Sequence, residues 1–239
     1  MGKKNNQMYV LLAISSLGFG LVSTSPLAAQ DETGFSLSAN AALVSDYRFR
    51  GVSLSDKDPA IQGGFDVAHD SGFYIGTWGS SIESYGDPVT GMSEFELDIY
   101  AGYGGQVGRL STDIGVLAYT YPGSENTHYI ELYGSVGGSL GVAEWTLGAA
   151  YVWDQDNVGG TDNIYVYLDG GIPLGDTPLS LATHLAYEDG AFGDGKWDWS
   201  AGLSYDFEKF SVSVSYVDTN IKGNRTAKAG VVAMLSASF

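Results

Sequence analysis

Three carboxylates, Glu94, Glu96 and Asp98, occupy every second position of one segment. In an extended strand alternate side chains share a face, so the three would project in a row. Oxygen ligands so arranged suit a hard cation such as calcium, or a stripe that favours the passage of cations. The plainer reading is a hydrated polar wall. Asp46, Arg48 and Arg50 repeat the same spacing. Guanidinium groups facing acids across a lumen would narrow it, whereas alone they would only balance the surrounding negative potential.

A second set is aromatic. Tyr74, Trp78, Tyr100, Tyr119, Tyr121, Tyr133, Tyr165 and Tyr167 fall on the phase opposite the main apolar run of their segments. Phenol rings are amphipathic and could line a path for sugars or nucleosides, or could fill a narrow barrel with bulk. Catalysis has little to build on. Of the three His, His69 and His128 fall at segment ends, and His184 shows no adjacent Ser and acid, so no enzyme is expected. The absence of Cys excludes disulfides and thiolate metal sites. Asp154 to Asp162 resembles part of a calcium loop, but Val158 stands where an oxygen ligand is needed and no bidentate Glu follows. No metal site and no cofactor are expected.

These residues are positioned by alternation. Twelve segments of period two, each near the length of a tilted membrane strand, cover 35–49, 60–69, 72–81, 92–103, 110–121, 128–137, 143–153, 163–173, 179–188, 196–206, 209–218 and 227–239. Setting the apolar phase outward sends Asp46, Arg48, Arg50, Asp66, Trp78, Glu94, Glu96, Asp98, Tyr119, Tyr121, Glu131, Tyr133, Tyr165, Tyr167 and Asp169 to the opposite face. Charges on the lipid side would cost roughly 2–4 kcal/mol at the midplane for a base and less for an acid. The connections alternate, with short ones at 70–72, 104–108, 138–142, 175–178 and 207–209. Longer ones lie near 50–59, 82–91, 121–127, 154–162, 188–195 and 218–226. Aromatic residues near segment ends, among them Tyr47, Phe49, Phe73, Tyr103, Trp145, Trp153, Trp197 and Trp199, fit interfacial girdles. The pattern predicts an all-β chain: a transmembrane up-and-down antiparallel β-barrel of about 12 strands, with short periplasmic turns and longer extracellular loops.

The ends of the chain agree with export. Lys3 and Lys4, the apolar run from Tyr9 to Val22 and the small residues before Ala29 read as a signal peptide over 1–29, leaving 30–239 as the barrel. Its removal takes two Lys and no acid, so the net charge falls from −17 to −19. Such acidity argues against nucleic acid and favours cations as partners, or simply serves solubility. The chain ends in V-V-A-M-L-S-A-S-F, with Phe239 on the same face as Val231 and Leu235. An aromatic terminal residue on an alternating strand looks like the signal read by the outer-membrane barrel-assembly machinery.

The stretch Ser45-Asp-Tyr-Arg-Phe-Arg-Gly-Val-Ser53, with Asp58-Pro-Ala-Ile-Gln-Gly-Gly-Phe-Asp66 and Ser71-Gly-Phe-Tyr-Ile-Gly-Thr-Trp78, resembles the TorF-type porin family of proteobacterial outer membranes. The likeness extends to Glu94-Phe-Glu-Leu-Asp98, Tyr119-Thr-Tyr-Pro122 and Glu131-Leu-Tyr133. It implies a small passive channel and brings no catalytic residues. The combined expectation is an outer-membrane pore for small hydrophilic solutes, favouring cations or neutral molecules, in contact with outer-membrane lipid and lipopolysaccharide. The alternative is a filled structural or adhesive barrel that works through its loops. A hydrolase on the same scaffold is the least supported reading.

Overall fold

In the computed structural model, residues 33–87 and 91–239 are described. The proposed signal peptide lies outside them. Twelve long antiparallel strands close into one barrel: β1 (Phe35–Val44), β4 (Ala60–His69), β5 (Phe73–Asp87), β6 (Gly91–Val107), β7 (Leu110–Thr120), β8 (Tyr129–Leu140), β9 (Ala143–Val152), β10 (Asn163–Pro173), β11 (Leu179–Gly190), β12 (Gly193–Phe207), β13 (Phe210–Thr219) and β14 (Gly230–Ser238). Each pairs with its chain neighbours, and β1 pairs with β14 to seal the ring. Closure leaves no edge strand, as a hydrocarbon surround requires. The remaining pair, β2 (Arg48–Phe49) and β3 (Val52–Ser53), forms a separate hairpin within the connection from β1 to β4.

The alternation sorts as the pattern predicts. Leu37, Leu43, Phe65, Ile75, Ile99, Ile114, Leu147, Leu168, Leu185, Leu203, Val214 and Leu235 are exposed on the outside. Leu147, Leu168 and Leu185 stand directly opposite one another across β9, β10 and β11, making a continuous apolar band. Polar and aromatic residues between them are enclosed. Girdle aromatics pair at the strand ends: Phe73 with Tyr103, and Phe207 with Phe210, at the turn end, and Tyr187 with Trp197 at the loop end.

Three departures have local causes. The segment expected as one strand over 35–49 breaks after Val44, and Tyr47 and Phe49 are folded inside rather than placed in a girdle. The connection expected to be long over 188–195 shrinks to Ala191 and Phe192, because β11 and β12 keep pairing up to Gly190 and Gly193. Likewise β5 and β6 pair as far as Asp87 and Gly91, so most of the expected loop over 82–91 is strand.

Inside the barrel tyrosine rings lie across glycines of the neighbouring strand. Tyr74 faces Gly102, Tyr100 faces Gly76, Tyr133 faces Gly115 and Tyr167 faces Gly148. A Cβ added at Gly148 would stand 2.1 Å from the Tyr167 ring. These glycines make room for inward rings, and the rings cover the backbone they leave bare.

Candidate functional site, an inward hairpin across the lumen

The connection after β1 turns back into the barrel. Asp46 holds its root, accepting a hydrogen bond from Ser53 Oγ at 2.6 Å and an ion pair from Arg48 Nε at 2.6 Å. Arg48 Nη1 also donates to the carbonyls of Gly51, Thr226 and Lys228, tying the hairpin to the connection between β13 and β14. Arg50 and Gly51 form the two-residue turn, with φ of 48° and 83°. Positive φ at both central residues is the turn whose twist suits a tight hairpin, and Asn-Gly is its favoured sequence. A non-glycine residue there is strained by about 1–2 kcal/mol, so its surroundings must hold Arg50 in place.

They do so by charge. Arg50 Nη2 meets Glu131 Oε2 of β8 at 2.5 Å, and Nη1 meets Glu188 Oε1 of β11 at 2.7 Å. The guanidinium lies over the Tyr165 ring, 4.2 Å from its centre. Burial alone would disfavour its charge, but Glu131 and Glu188 outweigh burial and raise its pKa well above the usual arginine value. Lys196 of β12 pairs with Glu188 and donates to the Arg50 carbonyl at 2.9 Å. The turn itself packs on the near side of the ring: a Cβ on Gly51 would come within 2.5 Å of Thr219 on β13 and 2.8 Å of Asp198 on β12. The Arg50 side chain, bonded to β8 and β11, carries the hairpin across the lumen near its loop end.

A second network lies beneath the turn. His184 Nδ1 contacts Asp169 at 2.6 Å, and Nε2 contacts Asp198 at 3.2 Å and Tyr165 Oη at 2.9 Å. The carboxylate partners arrive from β10 and β12, the strands on either side of His184. Acids that the sequence did not reveal thus stand beside this histidine, one at each ring nitrogen. A small, partly open gap adjoins this network, lined by residues that include Arg48, Arg50, His184 and Trp199. Further along the lumen, Tyr100 donates to Asp66 at 2.5 Å, and Tyr74 donates to Asp113 at 2.9 Å.

Of the residues expected to face inward, Asp66, Trp78, Glu96, Asp98, Tyr119, Tyr121, Glu131, Tyr165 and Tyr167 are buried, and Tyr133 and Asp169 half-buried. Asp46, Arg48 and Arg50 are inside as well, although on the folded-in hairpin and not on the wall. Glu94 departs from the expectation. The pairing of β5 with β6 slips between Ser81 and Tyr85, so Ser93 and Glu96 are both buried while Glu94 is exposed. The row of three carboxylates is a pair. Glu188 and Lys196, central to the crossing, were missed because both sat at segment ends where an outer loop was expected.

A closed ring of 12 antiparallel strands with apolar residues outside and charges inside is a transmembrane β-barrel, the fold that outer-membrane porins share. Similar solved structures include a KdgM porin, at a TM-score of 0.58 and 8% identity over 84% of this chain and 98% of that one. A NanC porin aligns at a TM-score of 0.54 and 12% identity over 85% and 98%. At such identity the likeness concerns the fold alone. Comparison with curated proteins finds no match. Residues 28–239 match the Gcw_chp family, described as a bacterial protein of unknown function, and the chain belongs to it.

Proposed function

We propose that this chain is a channel of the outer membrane through which small hydrophilic solutes diffuse passively, and that it is of the TorF type its motifs resemble. The observation that carries the reading is the hairpin from Arg48 to Ser53, held across a polar lumen by Arg50 between Glu131 and Glu188. A charged constriction built from an inward loop selects by size and by field, while the barrel wall supplies the passage. Acids outnumber bases on the enclosed surface: Arg48, Arg50 and Lys196 stand against Asp46, Asp66, Glu96, Asp98, Glu131, Glu188 and Asp198. That balance supports a preference for cations or neutral solutes over anions. The cleaved signal peptide, contact with lipid and lipopolysaccharide, and delivery to the assembly machinery through Phe239 belong to the same proposal. Phe239 pairs with Ala39 of β1 in both directions and thereby closes the ring.

Single-channel recording in planar bilayers tests it. Discrete conductance steps with a reversal potential on the cation side of a salt gradient are expected. Absence of channel events, or anion selectivity at moderate salt, would overturn it. The contact of the hairpin turn with β12 and β13 favours one second reading, a filled barrel whose loops are the working surface. The same recording separates the two, because a filled barrel conducts nothing.

A further inference from the structure

The buried cations of the hairpin crossing are already paired, Arg48 with Asp46, Arg50 with Glu131 and Glu188, and Lys196 with Glu188. Glu96 and Asp98 stand outside these pairs. Both are at 0% exposure, and none of their four carboxylate oxygens has a hydrogen-bond partner among the described residues. Two ionised carboxylates side by side on one strand face are costly to enclose unless something compensates their charge. An oxygen from a different part of the chain is directed at the same place. Tyr47, at the root of the inward hairpin and 3% exposed, faces Glu96 with its hydroxyl and completes no full hydrogen bond there. Its ring rests against Trp78, 5.5 Å between centres, and Trp78 stands opposite Asp98 on β5.

We propose that Glu96, Asp98 and the Tyr47 hydroxyl bind a divalent cation of the calcium class, which fastens the root of the inward hairpin to β6. The donor set is all oxygen, and its two negative charges match one divalent ion. Calcium accepts six to eight oxygens in loose geometry, so water can complete the sphere, whereas magnesium demands a stricter octahedron. Calcium then acts on the constriction from the end opposite Arg50: the ion holds the root, and the ion pairs hold the tip.

The test uses the full barrel folded in detergent and calcium chloride as the probe, with bound calcium measured at equilibrium and heat unfolding followed with calcium or with chelator. One calcium per chain is expected, reversed by chelation. The unfolding midpoint should rise with calcium in the wild type and stay fixed in the E96Q/D98N variant. Tyr47→Phe should weaken binding without abolishing it, which keeps the proposal testable if the double variant fails to assemble. The absence of bound calcium in the wild type at millimolar concentration would overturn the proposal. So would binding that survives E96Q/D98N but disappears in D154N/D156N, because it would then belong to the outer loop. A double variant more stable than a calcium-insensitive wild type would also overturn it, showing that the two carboxyls share protons instead. None of these readouts depends on conductance, so the outcome is separate from that of the channel reading.

Discussion

Replacing Arg50 with Ala should both loosen the barrel and widen its passage. The substitution removes two charge-assisted contacts, at 2.5 Å to Glu131 and 2.7 Å to Glu188. The two acids are not left equally exposed to the loss. Glu188 keeps its ion pair with Lys196 and a bond from Asn163 at 3.0 Å. Among the described residues, Glu131 keeps only the Tyr119 hydroxyl, at 3.1 Å. Breaking a buried ion pair by removing one partner costs about 3–5 kcal/mol, and the crossing lies near the mouth, so about 3 kcal/mol is expected. Neutralising the stranded acid in R50A/E131Q should restore about 1–2 kcal/mol of that loss. Arg50→Gly removes the same contacts but relieves the left-handed backbone, so it should be about 1 kcal/mol less destabilised than Arg50→Ala. Urea unfolding in detergent reads the stabilities, and bilayer recording reads the conductance, which should rise in all three variants. If Arg50→Ala unfolds and conducts as the wild type does, the hairpin is not held across the lumen and the argument fails.

Gly51→Val places a branched side chain where Thr219 and Asp198 already stand and where φ is 83°, so it should cost about 2 kcal/mol and push the turn off β12 and β13. A rise in conductance together with a lower unfolding midpoint would register this. Gly148→Ala drives a methyl group into the Tyr167 ring and should cost about 1–3 kcal/mol in the same unfolding assay. Leu168→Arg, in the middle of the outer apolar band, should cost about 2–4 kcal/mol when the barrel folds into lipid vesicles. The cost should nearly vanish in a lipid-free detergent with short chains. Deleting Phe239 removes both backbone bonds to Ala39 and should reduce the amount of barrel recovered in outer-membrane fractions of cells.

Much of this architecture was written in the chain's alternation. The bounds of β4 and β10 match the expected segments, since Ala60 to His69 and Asn163 to Pro173 are uninterrupted period-two runs ended by turn residues. The outward face of β14 was equally legible, with Val231 and Leu235 exposed as their spacing requires. The inward lining followed for the same reason, because a one-residue step reverses the face of every side chain. Glu94 escaped this logic where β6 slips against β5, since a bulge depends on which residues pair and not on their types.

What local pattern could not supply was the third dimension of the lumen. Asp46, Tyr47, Arg48, Phe49 and Arg50 alternate as well as any strand, and nothing in their order marks the break after Val44. Only the closed ring brings Glu131, Glu188 and Lys196 from β8, β11 and β12 to one point, and only there does folding Arg50 inward gain more than continuing along the wall. The sequence by itself determined that charges face inward and apolar groups face lipid, because that follows from the two-residue period and the cost of charge in hydrocarbon. The tertiary structure alone decided which charges meet, because pairing across a lumen depends on register and curvature summed around 12 strands.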